Sequence, residues 1–171
     1  MNATGWTGRR CGAALVASAA FKYCTPAPEM IMADEGCWNA HELLRLIRND
    51  ACEMISCYYT KAGGFLKAKA LLSLAHTAGI QSDVNGSAEM GIGNAANLHV
   101  AASNPAVTIP GSIPITQTEE VQRTRIAGRS YLDDLIDDPF VYRDGHLIVP
   151  DKPGLGVDID PKKLEKYRVG G

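Results

Sequence analysis

From Pro26 onward, short apolar runs alternate with longer segments whose apolar residues recur at helical spacing. Glu29-Met30-Ile31-Met32 leads into the polar Ala33-Asp34-Glu35-Gly36. A helix is predicted to start at Asn39, whose side chain caps the amides that follow. Glu42 at the third helical position completes a capping box. Leu43, Leu44, Leu46 and Ile47 give that helix its apolar face, and Asn49-Asp50 closes it. The second cycle has a strand over Met54 to Tyr59 and a turn at Lys61-Ala62-Gly63-Gly64. A helix over Phe65 to Ala78 follows, with Leu66, Ala70, Leu74 and Ala78 as its stripe and Gly79 just past its end. The third has a strand over Ile80 to Asn85, a loop over Gly86 to Met90 and a helix over Gly91 to Ala102. Val107-Thr108-Ile109 reads as a fourth strand.

Strand starts thus fall near positions 30, 54, 80 and 107, the rhythm of successive βα units. Each run is nearly all apolar, as expected where helices cover a parallel sheet. The spacing alone fits an open doubly wound sheet or part of a closed barrel. Asp34, Tyr58, Asn85 and Ser112 each lie at or just after the C-terminal end of a strand, where a barrel builds its active site. Gly91-Ile92-Gly93 is only a fragment of a phosphate-binding loop, so an open sheet with a ligand at one switch point is less well supported. After Pro110 the rhythm stops. Residues 113 to 140 are polar and acidic, with Asp133, Asp134, Asp137 and Asp138. Phe140 to Val149 then reads as a hairpin turning at Asp144-Gly145, followed by a rigid Pro150 to Gly156 connection and a short terminal helix.

Composition narrows the field of functions. With 171 residues, 46% of them hydrophobic, the chain can bury a core and one domain is the default. A net charge of −2 and a pI near 6.1 give no sign of a nucleic-acid surface. Lys162, Lys163, Lys166 and Arg168 read as a solvated helix face. Five cysteines (Cys11, Cys24, Cys37, Cys52 and Cys57) show no C-x-x-C spacing and fit reduced thiols in a cytoplasmic protein. No apolar run reaches the roughly 18 residues that span a membrane. Arg9-Arg10, the apolar Cys11 to Phe21 and Ala17-Ser18-Ala19 outline an export signal. The plainer reading, an Ala-rich segment over residues 1–25 with no assigned role, is preferred, which leaves residues 26–171 as the barrel portion. His41, His76 and His99 occupy helical positions and read as surface or core histidines.

Several stretches resemble one family in order and spacing. They are Met32-Ala33-Asp34-Glu35; Thr60-Lys61-Ala62-Gly63-Gly64 with a helix ending in Ala78-Gly79-Ile80; Gly86-Ser87-Ala88-Glu89; and the tail Asp144-Gly145-His146 through Pro153-Gly154-Leu155-Gly156. Together they are similar to the C-terminal barrel portion of the mandelate racemase and muconate lactonizing enzyme branch of the enolase superfamily. The fold so implied is α/β, a partial TIM-type (β/α) barrel of about the last four strands with three helices plus a C-terminal hairpin tail. The chemistry implied is Mg²⁺-dependent removal of the proton α to the carboxylate of a small acid, of racemase, epimerase, cycloisomerase or dehydratase type. A hard cation held by carboxylates suits the negative charge that develops there.

Carried over by position, Asp34 matches the third metal ligand, with Glu35 beside it as a substitute. Tyr58 stands where the family has its sixth-strand base, and Lys61 follows in the turn as the other catalytic candidate. Asn85, Glu89 and Ser112 fall at substrate-facing positions, although Glu89 equally reads as a helix-opening carboxylate. A tyrosine serves as a base only where a neighbouring cation lowers its pKa from about 10. There is no Asp or Glu before Pro26 to match the two earlier ligands, nor the lysine motif of the second strand. One carboxylate does not satisfy octahedral Mg²⁺. The chain alone is therefore expected to be inactive. The alternative is a non-catalytic remnant, or a subunit that self-associates or meets a complementary half to cover its open strand edges.

Overall fold

The structure is a computed structural model and describes residues 30–86, 89–113 and 133–169. The expectations for residues 1–25, and for the loop at Ser87-Ala88, lie outside the described residues.

Three strands, β1 (Met32–Ala33), β2 (Met54–Cys57) and β3 (Gln81–Val84), form a parallel sheet in the order β1-β2-β3. Met32 pairs with Met54 and Ser56 with Asp83. Helix α1 (Ala40–Arg48) connects β1 to β2, and a helical turn α2 (Tyr59–Ala62) plus helix α3 (Phe65–Thr77) connect β2 to β3. Helix α4 (Met90–Ala102) follows β3. The expected fourth strand contracts to one parallel bridge, Val107 to Ser82, at the outer side of β3. Pro110 has no N–H to extend the ladder there.

Local chemistry explains the boundaries. Asn39 Oδ1 accepts from the amides of His41 and Glu42 at 3.0 and 3.1 Å. The return arm of the capping box lands one residue early, with the Trp38 amide donating to Glu42 Oε2 at 2.6 Å. Strand β2 ends at Cys57 and not at Tyr59, because the next residues coil. Gly63, left-handed at φ 83°, closes that turn, and the Gly64 amide donates back to the Tyr59 carbonyl at 2.8 Å. The β preference of two tyrosines yields to this cap.

The stripe expected on α3 is corrected. Leu66 is 85% exposed, Ala70 and Ala78 are also exposed, and the buried residues are Ala68, Leu71, Leu72 and Ala75. A strict four-residue step drifts around a helix of 3.6 residues per turn, so the 66/70/74/78 row leaves the core. Leu71, Leu72 and Ala75 join Leu43 and Leu46 of α1 against Ala33, Ile55, Cys57 and Val84 of the sheet. Because successive strand residues face opposite ways, Met32, Met54, Ser56 and Asp83 point to the other face, away from these helices.

The tail is an ordered unit docked on α4. Strands β4 (Tyr142–Arg143) and β5 (His146–Leu147) form the expected hairpin, with Asp144 and Gly145 both at positive φ. Residues Leu135 to Asp137 pair with Asp158 to Asp160, and α5 (Pro161–Lys166) is capped by Asp160. Asp134 Oδ1 accepts from the Gly91 amide at 2.8 Å, and a Cβ on Gly91 would lie 2.6 Å from Ile136. His99 completes the dock through the Leu155 carbonyl at 3.2 Å, consistent with a histidine used for structure.

Candidate active site

The strand C-termini bring the polar residues together on the face opposite α1 and α3. Continuing the register by one residue sets Asp34 level with Ser56, which pairs with Asp83. Tyr58 and Asn85 stand two residues further along their strands, on the same face.

Asp34 and Lys61 form an ion pair at the site. The Lys61 ammonium lies 2.7 Å from Asp34 Oδ1 and 2.8 Å from the Asp34 carbonyl oxygen. Its side chain is 1% exposed while that of Asp34 is 54% exposed. The same ammonium sits 5.0 Å from the centre of the Tyr58 ring. The contact ties the ends of β1 and β2 together.

Tyr58 is half-buried, and its hydroxyl is pushed up from the ordinary tyrosine value by burial, with the Glu35, Asp34 and Glu89 carboxylates adding to the effect. The lowered pKa that a tyrosine base needs is thus not provided by its surroundings. At neutral pH its hydroxyl holds a proton and offers a hydrogen bond.

Asn85 is a junction. Its Nδ2 donates to Ser56 Oγ at 2.9 Å and to Asp83 Oδ2 at 2.8 Å, and its Oδ1 accepts from the Ser112 amide at 2.5 Å. Both amide hydrogens are used within the protein, so its role is to fix β2, β3 and the Gly111-Ser112 segment to one another. Ser112 reaches the site through its backbone. Glu89 Oε1 accepts from Thr60 Oγ1 at 3.0 Å, joining the start of α4 to α2. Glu35 is exposed and its carbonyl holds the Trp38 indole N–H at 2.8 Å. Asp34, Lys61, Tyr58, Asn85, Glu89 and Ser112 therefore share one end of the sheet.

Asp83 and Ser56 were not foreseen. Asp83 is 6% exposed and its Oδ1 has no hydrogen-bond partner. Burial pushes its carboxyl up and the Asp34 carboxylate adds to this, against hydrogen bonds from Ser56 and Asn85 and the charge of Lys61. The available signal was an acid two residues before Asn85, on the same face of the strand. A carboxyl whose pKa rises on folding favours the fold in acid, and that contribution fades as pH climbs through the folded pKa. Asp83→Asn, which keeps the acceptor for Asn85, should remove this loss. Urea denaturation of both proteins from pH 4 to pH 8 should show wild type losing stability relative to the variant; a pH-independent difference would contradict the assignment.

A parallel βα sheet with its polar side chains gathered at the strand C-termini is an α/β arrangement of the kind that builds a site at those ends. The Enolase C-terminal domain-like family matches residues 14–163, and the chain belongs to that family, as a C-terminal portion of the mandelate racemase and muconate lactonizing branch of the enolase superfamily. It is 30% identical over 142 residues to muconate cycloisomerase 1 of Rhodococcus opacus, covering 82% of this chain and 34% of that protein. It is 33% identical over 136 residues to an N-succinylamino acid racemase of an Amycolatopsis species, covering 80% and 33%. The crystal structure of a muconate cycloisomerase from Azorhizobium caulinodans matches with a TM-score of 0.71 at 30% identity, over 89% of this chain and 39% of that one. The chain thus spans about a third of the length of these relatives.

Proposed function

We propose that the chain forms the closing part of an enolase-superfamily barrel that removes the proton α to the carboxylate of a small acid, in a racemase, epimerase, cycloisomerase or dehydratase. It contributes one wall of the site and does not complete the chemistry with its described residues. The observation that carries this reading is the placement of Asp34, Tyr58, Asn85 and Glu89 at one end of a parallel sheet whose β1 edge pairs only with β2 among the described residues. That edge supports a barrel completed by further strands. Tyr58 and Glu89 would face the substrate, and Asn85 would hold the wall in register.

The described residues do not fit the Mg²⁺ that the family implies. No group of three or more His, Cys, Asp or Glu among them could hold a metal ion, and Asp34 already carries the Lys61 ammonium. The missing carboxylates would have to come from other strands. Addition of Mg²⁺ should therefore leave the melting temperature of this chain unchanged. In D₂O the chain should also fail to exchange the α proton of N-acyl amino acids or sugar acids, followed by ¹H NMR. Exchange that requires Mg²⁺ and is abolished by Asp34→Asn would overturn the claim that the wall is insufficient by itself.

A cytoplasmic setting agrees with the cysteines. Cys37, Cys52 and Cys57 are buried, and burial pushes Cys37 up to about 12 and Cys57 up to about 11, so both stay as thiols. No helix among the described residues is long and apolar enough to cross a membrane.

A further inference from the structure

Helix α4 is bonded both to the turn α2 and to the tail. It holds α2 at two points. Glu89, the residue before α4, accepts from Thr60 Oγ1 at 3.0 Å, and the fully buried Asn97 accepts from the Tyr59 amide at 3.0 Å. Tyr59 and Thr60 stand between Tyr58 and Lys61 in the chain, so these two contacts set where the Tyr58 ring and the Lys61 ammonium lie. The amides that open a helix need acceptors from outside its own ladder. Glu89 occupies the cap position of α4, yet its side chain makes no cap bond, and Met90 after it is left-handed at φ 54°. The acceptor comes from the tail, 43 residues on. Asp134, only 3% exposed, takes the Gly91 amide on Oδ1 at 2.8 Å, and the same oxygen takes the Leu135 amide at 2.6 Å. A carboxylate also suits the positive end of the helix. Glycine at position 91 is what lets the tail come so close, since a Cβ there would meet the Ile136 side chain.

We infer that Asp134 is a positioning residue for the candidate active site. Its carboxylate fixes the first turn of α4, and α4 holds α2, with Tyr58 before it and Lys61 within it, through Glu89 and Asn97. The tail thus serves the strand ends without entering them. This rests on the strand ends being the site. The α-proton exchange experiment tests that reading, whereas amide exchange tests the link alone, so the two fail separately.

Native-state amide hydrogen exchange of the full chain, read residue by residue by NMR, is compared for wild type, Asp134→Ala, Asp134→Asn and Asp160→Ala. The reporters are the Tyr59 amide, which donates to Asn97, and the Ala62 amide, which donates to the Tyr58 carbonyl at 3.1 Å. The Leu72 amide, in the core helix α3, reports general stability. Asp134→Ala should speed exchange at Gly91, Tyr59 and Ala62 on the order of tenfold or more, with a smaller change at Leu72. Asp134→Asn keeps an oxygen acceptor and should restore wild-type rates. Asp160→Ala removes the cap of α5 in the same tail and should leave Tyr59 and Ala62 unchanged. Faster exchange at Gly91 with Tyr59 and Ala62 unchanged would overturn the link. Equal acceleration at Leu72 would overturn it too, since that marks a general loss of stability, and so would equal acceleration in Asp160→Ala. If circular dichroism shows that Asp134→Ala does not fold, wild type in low urea decides. Gly91, Tyr59 and Ala62 should then share one opening free energy and one urea dependence, and separate openings would contradict the inference.

Discussion

Gly111→Ala should lower stability by about 2–3 kcal/mol, the upper part of the overpacking range. A Cβ at Gly111 would collide with the carbonyl oxygen of Val84 and lie 3.0 Å from its carbonyl carbon. These are backbone atoms of β3, so no rotamer change relieves the overlap. The segment would have to move off the sheet, breaking the Ser112 amide bond to Asn85 and the Gly86 amide bond to the Ser112 carbonyl. Because Asn85 joins three segments, the damage should spread to the strand ends that carry Tyr58 and Asp34. Urea denaturation followed by circular dichroism measures it, and an unchanged midpoint would mean that Gly111 does not approach Val84.

Leu71→Ala should cost about 2–5 kcal/mol, the range for emptying a fully buried leucine site. Leu71 is 0% exposed, in the layer where α3 meets α1 and the sheet. Leu66→Ala, on the same helix at 85% exposure, should shift stability by no more than about 0.5 kcal/mol. The pair is a direct test of helix phase, since the sequence pattern alone favours the Leu66 row. Equal effects of the two substitutions would place α3 in the wrong rotation. With typical domain stabilities of about 5–15 kcal/mol, the Leu71 change is a large fraction of the whole.

The phase error on α3 shows what sequence pattern can and cannot carry. Elements with chemical punctuation are legible: Asn39 caps α1, Gly63-Gly64 separates α2 from α3, and Asp144-Gly145 turns the hairpin. Each of these acts through one or two residues whose own chemistry dictates the backbone. The rotation of α3 is not legible in that way, because Leu66, Leu71, Leu72 and Leu74 allow more than one apolar row and only the neighbours decide among them. The short turn at Tyr59–Ala62 is hidden for a similar reason, its cap lying in Gly63 and its anchor in Asn97, 38 residues later.

The site divides along the same line. Which residues reach the strand ends follows from βα spacing and from family resemblance, and Asp34, Tyr58, Lys61, Asn85 and Glu89 do share one end of the sheet. What each does there depends on partners distant in the sequence. Lys61 meets Asp34 27 residues away, and Asn85 meets Ser56 29 residues away. Asp83 does not stand out in the sequence because Gln81, Ser82 and Asn85 around it are polar too, whereas the register shows it facing the same way as Ser56.

Sedimentation velocity of the 18.3 kDa chain over a range of concentrations tests the central claim, that these strands are an open segment of a barrel whose edges call for further strands. The account predicts species heavier than the single chain, growing with concentration as β1 edges become covered. A single species of monomer mass at every concentration, with a cooperative unfolding transition, would contradict it.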